Sequence, residues 1–207
     1  MKKFFFPAAL LLFAGCSSTV VNIGSSFAPL AKDGRGINYI KSDGCREIRY
    51  KKFAFNWDEK AGFRVYQPEN SPEKAVWRSM LPVTENHSAM GTVYRRAYSL
   101  ADTSQDGLLN FAEKAFSEVP RTRIKIMEQK FEKIAFAGQP AIRVYCVSKE
   151  TGREIFMIQT TIVFPCPEDP ENFLYFVAWS QRGREKDYRD EELVRQGELF
   201  LGSFKLL

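Results

Sequence analysis

The chain has 207 residues, 44% hydrophobic, 14% aromatic and 27% charged, with a formal net charge of +5. This balance suits a folded core, normally one domain at this length, and excludes a charge-dominated disordered chain. One histidine excludes sites that need two, four cysteines are too few for a disulfide-built scaffold, and no pattern of several long apolar stretches marks a multi-spanning membrane protein.

The first fifteen residues form a unit of their own. Lys2 and Lys3 precede an apolar run from Phe4 to Phe13, broken by Pro7, and then come Ala14, Gly15 and Cys16. A basic start, a short apolar stretch and small residues before a cut are the parts of an export signal. The run falls short of the ~20 residues that cross a bilayer. Leu12-Phe13-Ala14-Gly15-Cys16 resembles the lipobox of bacterial lipoproteins, with Phe13 where a smaller aliphatic residue is usual. The resemblance implies cleavage before Cys16 and lipidation of its thiol and new amino group; a plain secretory signal with an incidental cysteine is the alternative. Two or more acyl chains anchor stably, whereas one holds only marginally. Ser17 and Ser18 stand where an aspartate would favour the inner membrane, so the resemblance implies the periplasmic face of the outer membrane. Lys2 and Lys3 would leave with the signal, taking two of the net positive charges with them.

Residues 16–43 are rich in Ser, Gly, Ala and Asn and read as a lipidated terminus and flexible tether, with a reach of about 25 to 30 Å. Val20, Val21, Ile23 and Phe27 are the residues of this stretch that suit an edge strand instead. Residues 44–207 are expected to form a single domain. Ile48, Tyr50, Phe53 and Phe55 alternate with charged neighbours and, with Phe63 to Tyr66, suggest a hairpin. Further strands are expected at Ala75 to Leu81, Thr92 to Leu100, Lys125 to Ala137, Ala141 to Ser148, Glu154 to Phe164 and Phe173 to Gln181. Thr151-Gly152 reads as a two-residue turn that sets Glu150 opposite Arg153 and Cys146 opposite Met157. Apolar residues recur at helical spacing from Leu108 to Val119 and from Leu193 to Phe204.

The expected class is α+β: a largely antiparallel sheet covered by a mid-chain helix and a C-terminal helix. This order, with Gly138-Gln139-Pro140-Ala141 before a strand and the ending Leu199-Phe200-Leu201-Gly202-Ser203-Phe204-Lys205, resembles Mog1/PsbP-like domains over roughly residues 45–207. The resemblance implies a binding or assembly module rather than an enzyme.

Asp102-Thr103-Ser104-Gln105-Asp106-Gly107-Leu108-Leu109-Asn110-Phe111-Ala112-Glu113 carries the sharpest motif. An EF-hand loop takes oxygen ligands at positions 1, 3, 5, 7 and 12, with glycine at 6. Asp102, Ser104, Asp106, Leu108 and Glu113 fill those places, and calcium is the one cofactor the sequence suggests. A polar turn feeding a helix, capped by Thr103, Ser104 or Asp106, is the other reading.

His87, in the polar stretch Glu85-Asn86-His87-Ser88, is the single candidate base for a small envelope hydrolase; a surface histidine in a loop is the plainer reading. Ser71-Pro72-Glu73-Lys74 matches S-x-x-K without its companion motifs. Lipidation of Cys16 leaves Cys45, Cys146 and Cys166 in an oxidising compartment. The two-residue turn puts Cys166 about 30 Å along the sheet from Cys146, too far for a bond. Cys146 shares its strand face with Ile142 and Val144, as a buried small hydrophobe does. Cys45 with Cys166 is therefore the disulfide candidate, with two free thiols as the alternative.

Three basic clusters stand out: Arg46, Arg49, Lys51 and Lys52; Arg121, Arg123 and Lys125; and Arg182, Arg184, Lys186 and Arg189. For an exported chain they suggest an envelope protein or anionic envelope component rather than nucleic acid, or a solvated surface. Trp57, Trp77 and Trp179 are expected to fill the core between sheet and helices.

Overall fold

The computed structural model describes residues 20–23, 38–40, 47–50, 53–56, 63–65, 75–84, 87–98, 100, 102–117, 124–185 and 188–207. The elements, in chain order, are β1 (Val20–Ile23), β2 (Asn38–Ile40), β3 (Glu47–Tyr50), β4 (Phe53–Asn56), β5 (Phe63–Val65), β6 (Ala75–Thr84), β7 (His87–Ala97), α1 (Gln105–Ser117), β8 (Ile124–Phe136), β9 (Gln139–Glu150), β10 (Phe156–Pro165), β11 (Phe173–Gly183), α2 (Glu191–Gly202) and β12 (Lys205–Leu206). The class is the expected α+β, with a mid-chain helix and a C-terminal one.

The strands form an eight-stranded sheet in the order β2-β5-β6-β7-β11-β10-β9-β8 and a four-stranded sheet in the order β1-β3-β4-β12. All ladders are antiparallel except β1 with β3. The long strands β8 to β11 are a meander of three hairpins, and β10 and β11 are near-continuous apolar runs because both faces of the sheet are covered there. Side chains of alternating residues point to opposite faces. One face carries Ile142, Val144, Val163, Leu174 and Phe176, which pack with Leu108 and Ala112 of α1. The other carries Val93, Ala141, Ile162, Phe164, Tyr175, Val177 and Trp179, which pack with Leu193 and Phe200 of α2, Phe204, and Phe53 and Phe55 of β4.

Each helix is fixed by its ends. Ser104 caps α1: its Oγ accepts from the Gly107 amide at 3.2 Å, and its carbonyl accepts from the Leu108 amide at 2.9 Å. The Gln105 side chain donates through Nε2 to the Ile134 and Ala141 carbonyls at 2.8 and 3.1 Å, tying the first turn to β8 and β9. Asp190 caps α2, accepting from the Glu192 and Leu193 amides at 2.9 and 3.2 Å. At the other end the Ser203 hydroxyl donates to the Leu199 carbonyl and accepts from the Asn56 amide at 2.6 Å, so α2 ends against β4.

Several sequence expectations change. The alternating run from Ile48 to Phe55 is two strands that pair with each other, Tyr50 opposite Phe53. Phe63–Val65 joins the larger sheet through β6 and β2, so it does not form a hairpin with Phe53–Asn56. The expected tether, residues 16–43, holds two short strands, and Val20, Val21 and Ile23 form part of β1. His87 opens β7, opposite Thr84, instead of standing in a loop. The turn after β9 is longer than two residues: Glu150 donates its amide to the Ile155 carbonyl at 2.9 Å, because Ile155 is apolar and turns inward. Cys146 therefore faces Gln159 rather than Met157. The shorter distance, roughly 23 Å along the strand from Gln159 to Cys166, still exceeds disulfide reach.

Candidate functional site

Alternation along β10 places Ile158, Thr160 and Ile162 on the face that α2 covers. The register sets Thr160 between Tyr145 and Trp179, Ile158 between Val147 and Gln181, and Ile162 between Arg143 and Val177. Because α2 packs on β11, β7 and β4, it covers only part of this face. Between α2 and β8 a groove of about 710 Å³ remains. Its floor is Ile134, Ile158, Thr160, Ile162 and Tyr145; its wall is Val194, Gly197, Glu198 and Leu201; and Phe136 and Phe204 close one end.

The wall is set by a close approach. A Cβ on Gly197 would lie 2.4 Å from Trp179 Cδ1 and 2.5 Å from its Nε1, so only glycine lets the helix sit flat on the indole. Trp179 Nε1 donates to Gln181 Oε1 at 3.2 Å, and Gln181 Nε2 donates to the Tyr188 carbonyl at 2.7 Å. Gln181 is buried, and these bonds satisfy it while fixing the approach to α2. The Tyr188 ring stacks on Phe156 at 5.0 Å, and its hydroxyl accepts from Arg189 Nε at 3.0 Å.

The rim is polar and balanced in sign. Arg143 Nη1 bonds Glu132 Oε2 at 3.0 Å, both side chains about half exposed, and Lys130 pairs with Glu128 at 2.5 Å. Burial, then the Glu128 charge, pushes the Tyr145 hydroxyl above the usual phenol range. The site combines an apolar floor with a few convergent polar groups, the composition of a binding cleft.

The calcium candidates lie on the opposite face of the sheet. Asp102 accepts from the Ser104 amide and hydroxyl, both at 2.8 Å, and these two bonds hold its carboxyl below the usual carboxylate range. Asp106 pairs with Lys133. Leu108 is buried in the core, and its backbone belongs to a helix already begun at Gln105. Glu113 lies two turns beyond Asp106, about 10 Å along the axis. The structure therefore lays these residues along a capped helix rather than around one point, and no group of three His, Cys, Asp or Glu converges among the described residues.

Cys16 and Cys45 lie outside the described residues. Cys166 is buried with a free thiol, and the half-buried Cys146 thiol, on the face of Ile142 and Val144, is pushed up by burial. Of the basic clusters, Arg182 donates to Glu150 Oε1 at 2.8 Å, and Arg46, Lys51, Lys52, Arg121, Arg123 and Lys186 lie outside the described residues. Trp179 fills the core as expected and also lines the groove. The groove itself was not foreseen. Its one local signal is Thr160, a polar residue between Ile158 and Ile162 on the same strand face.

No family model and no curated protein matches the chain. Solved structures do. LpqN, involved in cell envelope biogenesis of Mycobacterium tuberculosis, is similar at TM-score 0.50 and 13% identity, over 74% of this chain and 82% of LpqN. The cyanobacterial PsbP of Synechocystis sp. PCC 6803 is similar at TM-score 0.49 and 10% identity, over 87% of this chain and all of that one. At 13% identity the likeness to LpqN is one of fold. No helix among the described residues is long and apolar enough to cross a membrane.

Proposed function

We propose that this protein is a lipid-anchored module of the cell envelope, held through Cys16 at the periplasmic face of the outer membrane. In this reading its domain binds an amphipathic envelope component and carries out no covalent chemistry. The groove between α2 and β8 is the observation that carries the reading, since an apolar floor with Arg143, Tyr145, Thr160 and Glu198 around it suits recognition. The lipobox residues supply the anchor, and the part LpqN takes in cell envelope biogenesis is in keeping with this setting.

The test is a photoreactive residue at Val194, on the groove wall, with one at Glu113, on the α1 face, as control. In cells the Val194 probe is expected to trap an envelope component that the Glu113 probe does not. Identical products from both positions, or none from Val194, would remove the groove as a binding site. Labelled palmitate is expected to enter the wild type and not Cys16→Ser; equal labelling would sink the anchor.

A further inference from the structure

Among the described residues the sheet ends at β8, whose 13 residues make it the longest strand there, and β9 is its only partner. The β8–β9 turn has Ala137 and Gly138 at positive φ, 50° and 76°, and Phe136 stands opposite Gln139. A two-residue turn of this kind closes on a hydrogen-bonded pair, so Phe136, Ile134, Glu132, Lys130 and Glu128 bond to β9. The N–H and C=O groups of Gln129, Phe131, Lys133 and Ala135 consequently point outward from the edge. A bulge between Ile126 and Glu128 ends this regular stretch.

Such an edge is a template for another strand. Its charges distinguish among the ways a second β8 could add antiparallel to it. Centred on Lys130, pairing opposes Lys130 to itself and Glu128 to Glu132; centred on Glu132 or Lys133, it opposes that residue to its own copy. Centred on Phe131, it sets Lys130 opposite Glu132 twice, Gln129 opposite Lys133 twice and Glu128 opposite Ile134. The span from Glu128 to Ile134 also fits between the bulge and the turn. Lys130 and Glu132 then form a non-hydrogen-bonded pair, the kind in which side chains come closest. Both are exposed, at 71% and 61% of their side-chain surface, and thus available.

We propose that β8 pairs antiparallel with β8 of a second copy of this chain, on a two-fold axis through Phe131. Each Glu132 then sits between Arg143 of its own chain and Lys130 of the other, extending the rim charges into one alternating row. An axis perpendicular to the sheet leaves both grooves open on the same side.

The experiment uses two differently tagged full-length chains expressed together. Copies carrying Lys130→Cys and Glu132→Cys are expected to form a mixed disulfide in cells. Lys130→Cys with itself is expected to give far less, because those Cα atoms are roughly 8 Å apart. Lys130→Glu alone or Glu132→Lys alone turns two attractive contacts into repulsive ones and is expected to cut co-purification about tenfold or more. Combining Lys130→Glu with Glu132→Lys restores it. Unshifted melting curves confirm that these exposed changes leave the fold intact. No co-purification of wild-type copies, insensitivity to the single reversals, or failure of the double exchange would each overturn the proposal.

Discussion

The two faces of the large sheet are closed in different ways. On one, α1 lies over β8 and β9, and its buried residues are the small-to-medium Leu108 and Ala112. On the other, α2 shares the work with β4 and its aromatic residues: Phe55 meets Phe200 edge-on at 4.8 Å, and Phe204 stacks on Phe53 and Phe136, each at 5.4 Å. The aromatic cluster draws α2 toward β4, β7 and β11. That displacement is what leaves β8 to β10 uncovered and makes the groove. The groove is the by-product of where the aromatic core lies.

The largest expected effect breaks the aromatic side. Phe200 is fully buried, and Phe200→Ala should cost about 3 to 5 kcal/mol and distort the groove. Leu108→Ala on the other face should cost about 2 to 5 kcal/mol and leave the groove's shape alone. Urea titration measures the stability change, and the near-ultraviolet signal of Trp179, read in a Trp57→Phe, Trp77→Phe background, reports the groove. If both variants changed the Trp179 signal equally, the two faces would not be independent. Gly197→Ala comes next, at about 1 to 3 kcal/mol, because its methyl would enter the Trp179 ring and lift α2. Gly107→Ala is the matching change under α1, where a Cβ would lie 2.2 Å from the Asp102 carbonyl oxygen; it should lower stability without altering Trp179.

Both helices were legible in sequence because Leu108, Leu109, Phe111 and Ala112, and Leu193, Leu199 and Phe200, recur at helical spacing, although Phe204 lies past the end of α2. The long strands were legible for the same kind of reason, through alternation. The split between β3 and β4 was harder to read, since Lys51-Lys52 carries no turn residue; its one mark is a one-residue shift in phase, from Ile48 and Tyr50 to Phe53 and Phe55. Thr151-Gly152 misled in the opposite sense: Gly152 does take a positive φ, 80°, but the chain continues until Ile155 can be buried. The groove depends on how far α2 slides across the sheet, which the aromatic residues of β4, more than a hundred residues away in sequence, decide. No local pattern carries that information.

Smaller effects sharpen the α1 side. Ser104→Ala removes the cap and should cost about 1 kcal/mol. It should also flatten the acid response. Asp102 binds its proton less readily folded than unfolded, so its contribution is complete above the ordinary carboxylate value of about 3.9 and is lost as pH falls through the lowered folded value. Melting temperature followed from pH 6 to about 2.5 should fall less steeply in Ser104→Ala than in the wild type; parallel curves would show that the Ser104 bonds do not set the Asp102 response. The smallest change is Ala137→Asn. Ala137 holds a left-handed φ of 50° beside Gly138, and Asn-Gly suits that turn, so stability should rise by about 0.5 kcal/mol.

The bond between the Asn56 amide and the Ser203 hydroxyl joins residues 147 apart in sequence. Strands β8 to β11, by contrast, meet through consecutive hairpins. Closing a long loop carries a larger entropy cost before its contacts form, so the order of events during refolding is built into this architecture. The meander can assemble from its own turns, whereas the layer of β4, α2 and β12 must wait until distant parts of the chain meet. Pulse-labelled hydrogen exchange should find amides of β9 and β10 protected before those of β4. The wall of the groove would then be the last part of the molecule to become native.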